Sequence, residues 1–203
     1  MGLDMYLYAE KDVSNYDYVT IKGELDRVEN SEYDKIITAS GMDTLPTSQY
    51  PSVSVRKKVA YWRKANAIHG WFVRELANGK DECQEIYVTR EDLVNLRNEC
   101  VNALANRANA VPNNESSRVI KLNDNGNNVE EVMTQMMSTF KKEAQKSNST
   151  IVVSEPLAPT EGFFFGGTEK DEYYYGTIEY TLDTLNALLA NGDKYEYYYR
   201  ASW

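Results

Sequence analysis

Residues 61–77 read YWRKANAIHGWFVRELA, and the reading of this stretch decides the fold class. Trp62, Ala65, Ile68, His69, Phe72, Val73 and Leu76 recur at helical spacing, so an amphipathic helix is predicted from Tyr61 to Ala77. Asn78-Gly79 supplies the stop, because both residues tolerate the left-handed conformation that ends helices. On that helix His69 lies mid-way across the apolar face and must find a hydrogen-bond partner in or near the core. Trp71 falls on the opposite side, among Arg63, Lys64 and Arg74. It is therefore predicted to be an exposed contact anchor, unless both sides of the helix are covered. Gly70 weakens a helix interior and so predicts close approach of another element there.

Working outward, residues 3–9 (LDMYLYA) alternate apolar and polar, which is strand periodicity. Residues 16–22 read as a second strand, 39–52 as a loop, and Val53, Val55 and Val59 as a weak third strand. On the other side, 83–88 (CQEIYV) form a short strand. Thr89 then caps a helix with the stripe Leu93, Leu96, Cys100 and Leu104, and Asp92 completes a near-capping-box. A variable Asn-rich loop is expected at about 109–128, a helix near 129–146 and a buried strand at 151–153. Phe163-Phe164-Phe165 closes on Gly166-Gly167. A helix is predicted from about Asp171 to Ala190, with Ile178, Leu182, Leu185, Leu188 and Leu189 inward. Tyr195, Tyr197 and Tyr199 alternate with Glu196, Tyr198 and Arg200 in a last strand, expected to neighbour the first.

No regular βαβ rhythm and no internal repeat appears. The expectation for 1–203 is one α+β domain, an antiparallel or mixed sheet with about four helices packed on it. At 203 residues the chain is long enough for one well-buried core. A net charge of −9 argues against a general nucleic-acid binder, though not against a local basic patch. Two cysteines and one histidine are too few for a structural zinc site, and no metal or cofactor is expected. Neither a signal peptide nor an apolar run long enough for a membrane helix is visible, so the cytosol is the expected location. Sixteen tyrosines and three tryptophans form a surplus of amphipathic aromatics, suited to pockets and interfaces but also to plain β-sheet.

Nucleotide-binding, zinc-protease and serine-hydrolase motifs are all missing. The loop around Gly126 fails as a calcium site, because Lys121 and Val132 occupy positions that need carboxylates. Gly166-Gly167-Thr168 before a helix could offer backbone N–H groups to an anion, but Glu169, Asp171 and Glu172 crowd that helix start and favour its dipole themselves. Tyr173-Tyr174-Tyr175 span nearly one turn, so at least one ring faces away from the core. With Tyr195–Tyr199 and Trp203 they are candidates to line an aromatic cleft.

Three blocks, MGLDMYLYAEK, YWRKANAIHGWFV and GFFFGGTEKDEYYY continuing to YYYRASW, run in order along the chain. Together they resemble an uncharacterised family found in bacteriophages and bacterial genomes. The resemblance implies a phage or prophage setting, hence the host cytoplasm, and brings no activity, cofactor or catalytic residue. The leading expectation is a phage-type accessory protein: a non-catalytic binder of a host protein or small ligand, through Arg63, Lys64, Asn66, His69, Trp71, Tyr173, Tyr174 and Tyr175. The alternative is a small enzyme acting on a nucleotide or glycosidic bond, with His69 as acid or base and Asp4, Asp171 or Glu172 supplying a carboxylate. Acidic mimicry of DNA is a third, weakened by the dispersal of acids among lysines and arginines.

Overall fold

Alternation dictates the sheet. In the computed structural model, which describes residues 2–110 and 155–203, β1 (Asp4–Ser14) turns Met5, Leu7 and Ala9 to one face and Tyr6, Tyr8 and Glu10 to the other. It pairs antiparallel on one side with β4 (Ser52–Arg63) and on the other with β6 (Glu196–Ser202), which pairs with β5 (Glu85–Val88). The order is β4-β1-β6-β5, all antiparallel, so the expected neighbourhood of first and last strands holds. Apart from the four-stranded sheet, β2 (Tyr16–Ile21) and β3 (Glu24–Glu29) form a separate hairpin. Its turn is Lys22-Gly23, both at positive φ, the backbone that tight hairpins require.

Four helices are described: α1 (Ser31–Ser40), α2 (Asn66–Leu76), α3 (Arg90–Ala110) and α4 (Glu172–Leu189). The α+β class with about four helices therefore stands, and three of the described helices were expected from sequence. Helix α1 was not anticipated, nor was β3. Its signals are local: Asn30 caps it, accepting from the Glu32 N–H at 2.9 Å, and Gly41 ends it in the left-handed conformation. Helix α1 buries no residue, and the hairpin is exposed on both faces, so this excursion between β1 and β4 lacked the apolar periodicity that betrays an element. The helix expected near 129–146 and the strand at 151–153 lie outside the described residues. So does the Asn-rich loop at 109–128, save for 109 and 110, which end α3.

The stretch that opened the reading is two elements, not one. Strand β4 continues to Arg63, alternating Ala60 and Trp62 inward with Tyr61 and Arg63 outward. Lys64, at φ 55°, then turns the chain into α2. The helical spacing of Trp62 and Ala65 with the residues beyond was a coincidence of two apolar faces meeting across a turn that has no Gly or Pro to mark it.

One core lies on one face of the sheet. Leu7, Trp62, Ile86 and Tyr199 from the strands meet Ile68 and Phe72 of α2, Leu93, Leu96 and Cys100 of α3, and Ile178 and Leu185 of α4. Each such side chain contributes about 1.5–3 kcal/mol by leaving water. Two polar groups drawn into this layer are bonded to each other: the Trp62 indole N–H donates to Thr181 Oγ1 at 2.8 Å, and Thr181 donates to the Thr177 carbonyl at 2.7 Å. The capping box forms as expected, with the Thr89 N–H donating to Asp92 at 2.8 Å and the Asp92 N–H to Thr89 Oγ1 at 3.1 Å. Among the described residues, no helix is long and apolar enough to cross a membrane.

Candidate functional site

Helix α2 starts without a side-chain cap, because its N-cap is Ala65. The N–H groups of Asn66, Ala67 and Ile68 therefore have no partner inside the helix, as in any first turn, and none from a capping side chain. Helix α4 begins differently: Asp171 Oδ1 accepts from the Tyr174 N–H at 2.9 Å. Between these two starts runs the Gly166-Gly167 segment. Asn66, itself buried, pins it by donating through Nδ2 to the Gly167 carbonyl at 2.7 Å and the Phe165 carbonyl at 3.3 Å. Gly166 has φ +92°, and a Cβ there would press within 3.3 Å of the Lys64 Cβ, so the segment needs glycine to lie this close.

The result is a cavity of about 320 Å³. Lys64, the α2 start and Gly166-Gly167 form part of its wall; Glu169, Asp171, Tyr173, Tyr174 and Thr177 form the rest. One flank thus carries positive character, from a lysine and the positive end of a helix dipole. The other carries two carboxylates. Such an arrangement suits a small dipolar molecule with an anionic group turned toward α2.

Of the residues singled out from sequence, the cavity gathers Lys64, Asn66, Tyr173 and Tyr174. Tyr174 is buried, with its hydroxyl donating to the Leu157 carbonyl at 2.9 Å, and Tyr173 is the ring of the triplet that faces out, its hydroxyl bonded to the Arg63 carbonyl. Tyr175 turns aside to Arg107, whose guanidinium lies 4.4 Å from its ring centre. The Arg63 side chain belongs to the opposite face of the sheet, 3.9 Å from Asp4.

Two expectations are corrected. Trp71 is not an exposed anchor: it is only 4% exposed and packs edge-on against Phe72, with ring centres 5.2 Å apart. The helix is covered on both sides. His69 is 1% exposed and does not line the cavity. Its Nδ1 lies 2.8 Å from the Tyr199 hydroxyl and its Nε2 2.9 Å from Asp81 Oδ2. Burial, with the nearby Asp81 and Cys83, pushes the Tyr199 hydroxyl well above its ordinary pKa, so it stays protonated beside Nδ1. Both nitrogens of His69 thereby have a partner, and Phe165 closes over the ring with ring centres 5.0 Å apart. The expected close approach at Gly70 is real: a Cβ there would stand 2.0 Å from Thr160 Oγ1.

Sequence reasoning placed the possible anion nest of Gly166-Gly167-Thr168 at the start of α4. The glycines instead pack beside α2, and only the Asn66 contact reveals it. Among the described residues, no cluster of His, Cys, Asp and Glu is arranged to hold a metal ion. Cys100 is buried, which pushes its thiol up to about 12, and Cys83 is half-buried; both are free. The chain matches no protein-family model, no curated protein and no solved structure.

Proposed function

We propose that this protein is a phage-type accessory protein that binds a small ligand without transforming it. The ligand is a dipolar molecule with an anionic group, held between the start of α2 and the first turn of α4. One observation carries this reading: a cavity of about 320 Å³ has an uncapped helix start and Lys64 on one flank and Glu169 and Asp171 on the other. That volume sits at the small end of ligand cavities. The phage setting rests on the resemblance of the three sequence blocks. The enzyme alternative loses its acid–base group, because His69 is sealed and saturated. The host-protein alternative loses the anchor that motivated it, because Trp71 is buried.

The test is thermal denaturation with inorganic phosphate, free amino acids and nucleoside monophosphates, together with mass spectrometry of anything carried through purification. A ligand at about 100 times its Kd adds roughly 2.7 kcal/mol, a readily measured rise in Tm. Lys64→Asn is the informative variant, since Asn accepts the left-handed backbone and only the cation is lost. The rise should shrink in that variant. No rise with any of the three classes, and nothing co-purified, would reject the reading.

A further inference from the structure

The sheet has a second face, turned away from the described helices, and its layout follows from register alone. Across the strands, one row reads Lys58–Tyr8–Tyr198–Tyr87. The row beside it reads Tyr61–Tyr6–Arg200–Glu85. The tyrosines form two ring groups with the Arg56 guanidinium between them: ring centres are 6.2 Å apart for Tyr6 and Tyr8 and 5.4 Å for Tyr6 and Tyr61 on one side, and 5.5 Å for Tyr87 and Tyr198 on the other. Tyr61 is 42% and Tyr87 54% exposed, at opposite edges of the patch.

The charges here largely cancel in pairs. Arg56 bonds Glu10 at 2.5 Å and Glu85 at 2.7 and 2.9 Å, while its guanidinium lies about 5 Å above the Tyr8 and Tyr198 rings. Asp4 accepts from the Tyr61 hydroxyl at 2.5 Å and faces Arg63 at 3.9 Å. Glu196, one row on, accepts from the Tyr198 hydroxyl at 2.9 Å. Two charges within the tyrosine rows make no close ion pair among the described residues, and both are positive, although Arg200 stands opposite Glu85 in register and joins Arg56 in holding that carboxyl below its usual range. The Lys58 ammonium stands 4.3 Å over the Tyr6 ring, and Arg200 is paired in register with Tyr6 from the other side.

We propose that this face binds a short stretch of single-stranded nucleic acid, with bases stacked on the tyrosines and phosphates at Lys58 and Arg200. An antiparallel four-stranded sheet with aromatics on its central strands is a surface on which unstacked bases can lie. Every base offers a π-face, so binding is tolerant of sequence. A duplex keeps its bases stacked and gains nothing from the rings. The net charge of −9 opposes binding at a distance. Affinity is therefore modest, and Lys58 and Arg200 set its salt dependence. For two phosphates on a single strand, log K falls against log salt with a slope of about −1.4.

The experiment is fluorescence anisotropy of short labelled single-stranded RNA, single-stranded DNA and duplex DNA with the full chain, from about 20 mM salt upward. Single strands should bind and the duplex should not. Tyr61→Ala and Tyr87→Ala, at exposed positions that spare the core, should each weaken binding about tenfold at unchanged Tm. Lys58→Gln should flatten the salt slope by about 0.7. No single-strand binding at the lowest salt would overturn the proposal. So would binding that is indifferent to both tyrosines, or capture of a protein partner through the same tyrosines with no nucleic acid bound.

Discussion

Tyr198 and Tyr199 are adjacent on β6 and live in opposite worlds. Tyr199 points inward, stacks on Phe72 at 3.8 Å between ring centres, and spends its hydroxyl on His69. Tyr198 points outward, bonds Glu196 at its own strand, and shares Arg56 with Tyr8. Strand alternation makes this difference. The inner cluster of Phe72, Tyr199 and His69 is closed, with both imidazole nitrogens and the tyrosine hydroxyl bonded and Asp81 half-buried at its rim. The outer face is open, and its polar groups are exposed or half-buried. The most suggestive chemistry in the sequence, a lone histidine among aromatics, thus belongs to architecture, and on the other face Tyr61 and Tyr87 are left accessible.

Substitution should expose that contrast in graded steps. Phe72→Ala empties the space beneath Tyr199 and should cost about 3–5 kcal/mol, measured by denaturant unfolding. Next in size, Tyr199→Phe keeps the ring but strands His69 Nδ1, at about 1–3 kcal/mol. If Tyr199→Phe were neutral, the buried relay would have no structural worth and His69 would need another account.

The same hydroxyl gives a pH dependence of definite sign. Its folded pKa lies above the unfolded value near 10, so the stability it contributes is complete below that value. It is lost as pH rises toward the folded pKa. Wild-type protein should therefore lose stability above about pH 10 more steeply than Tyr199→Phe does. Gly70→Ala should cost about 1–3 kcal/mol despite the better helix propensity of alanine, because of Thr160. Thr160→Ala should recover part of that loss.

The smallest effects belong to the outer face and the surface. Tyr87→Ala should change stability by under about 1 kcal/mol, within the range of exposed strand positions. A thiol reagent should label Cys83 in the folded protein and reach Cys100 only on unfolding, since the thiol at about 12 is buried against α3's neighbours. A fast reaction at Cys100 would mean that the inner layer opens far more readily than its packing implies.

Much of this architecture was legible from the chain. The alternation in residues 3–9 and 195–200, the Thr89–Asp92 box and the Asp171 start of α4 are local signals whose meaning does not depend on partners. Their strands and helices appear where expected. The cavity was legible in part: Lys64, Asn66, Tyr173 and Tyr174 do share it. What brings them together is Asn66 reaching carbonyls a hundred residues on in the chain, and no spacing rule encodes that.

The sequence by itself determined the class of fold, the inward residues of β1, β6, α3 and α4, and the pairing of the first strand with the last. Periodicity and capping suffice for these, because they act between residues a few positions apart. Only the tertiary structure decided that residues 61–77 break at Lys64, that Trp71 is covered and His69 sealed, and that five tyrosines converge on one open sheet face. Whether a side chain is covered depends on what packs over it from distant parts of the chain, and hydrophobic burial carries no directional code that a linear pattern could display.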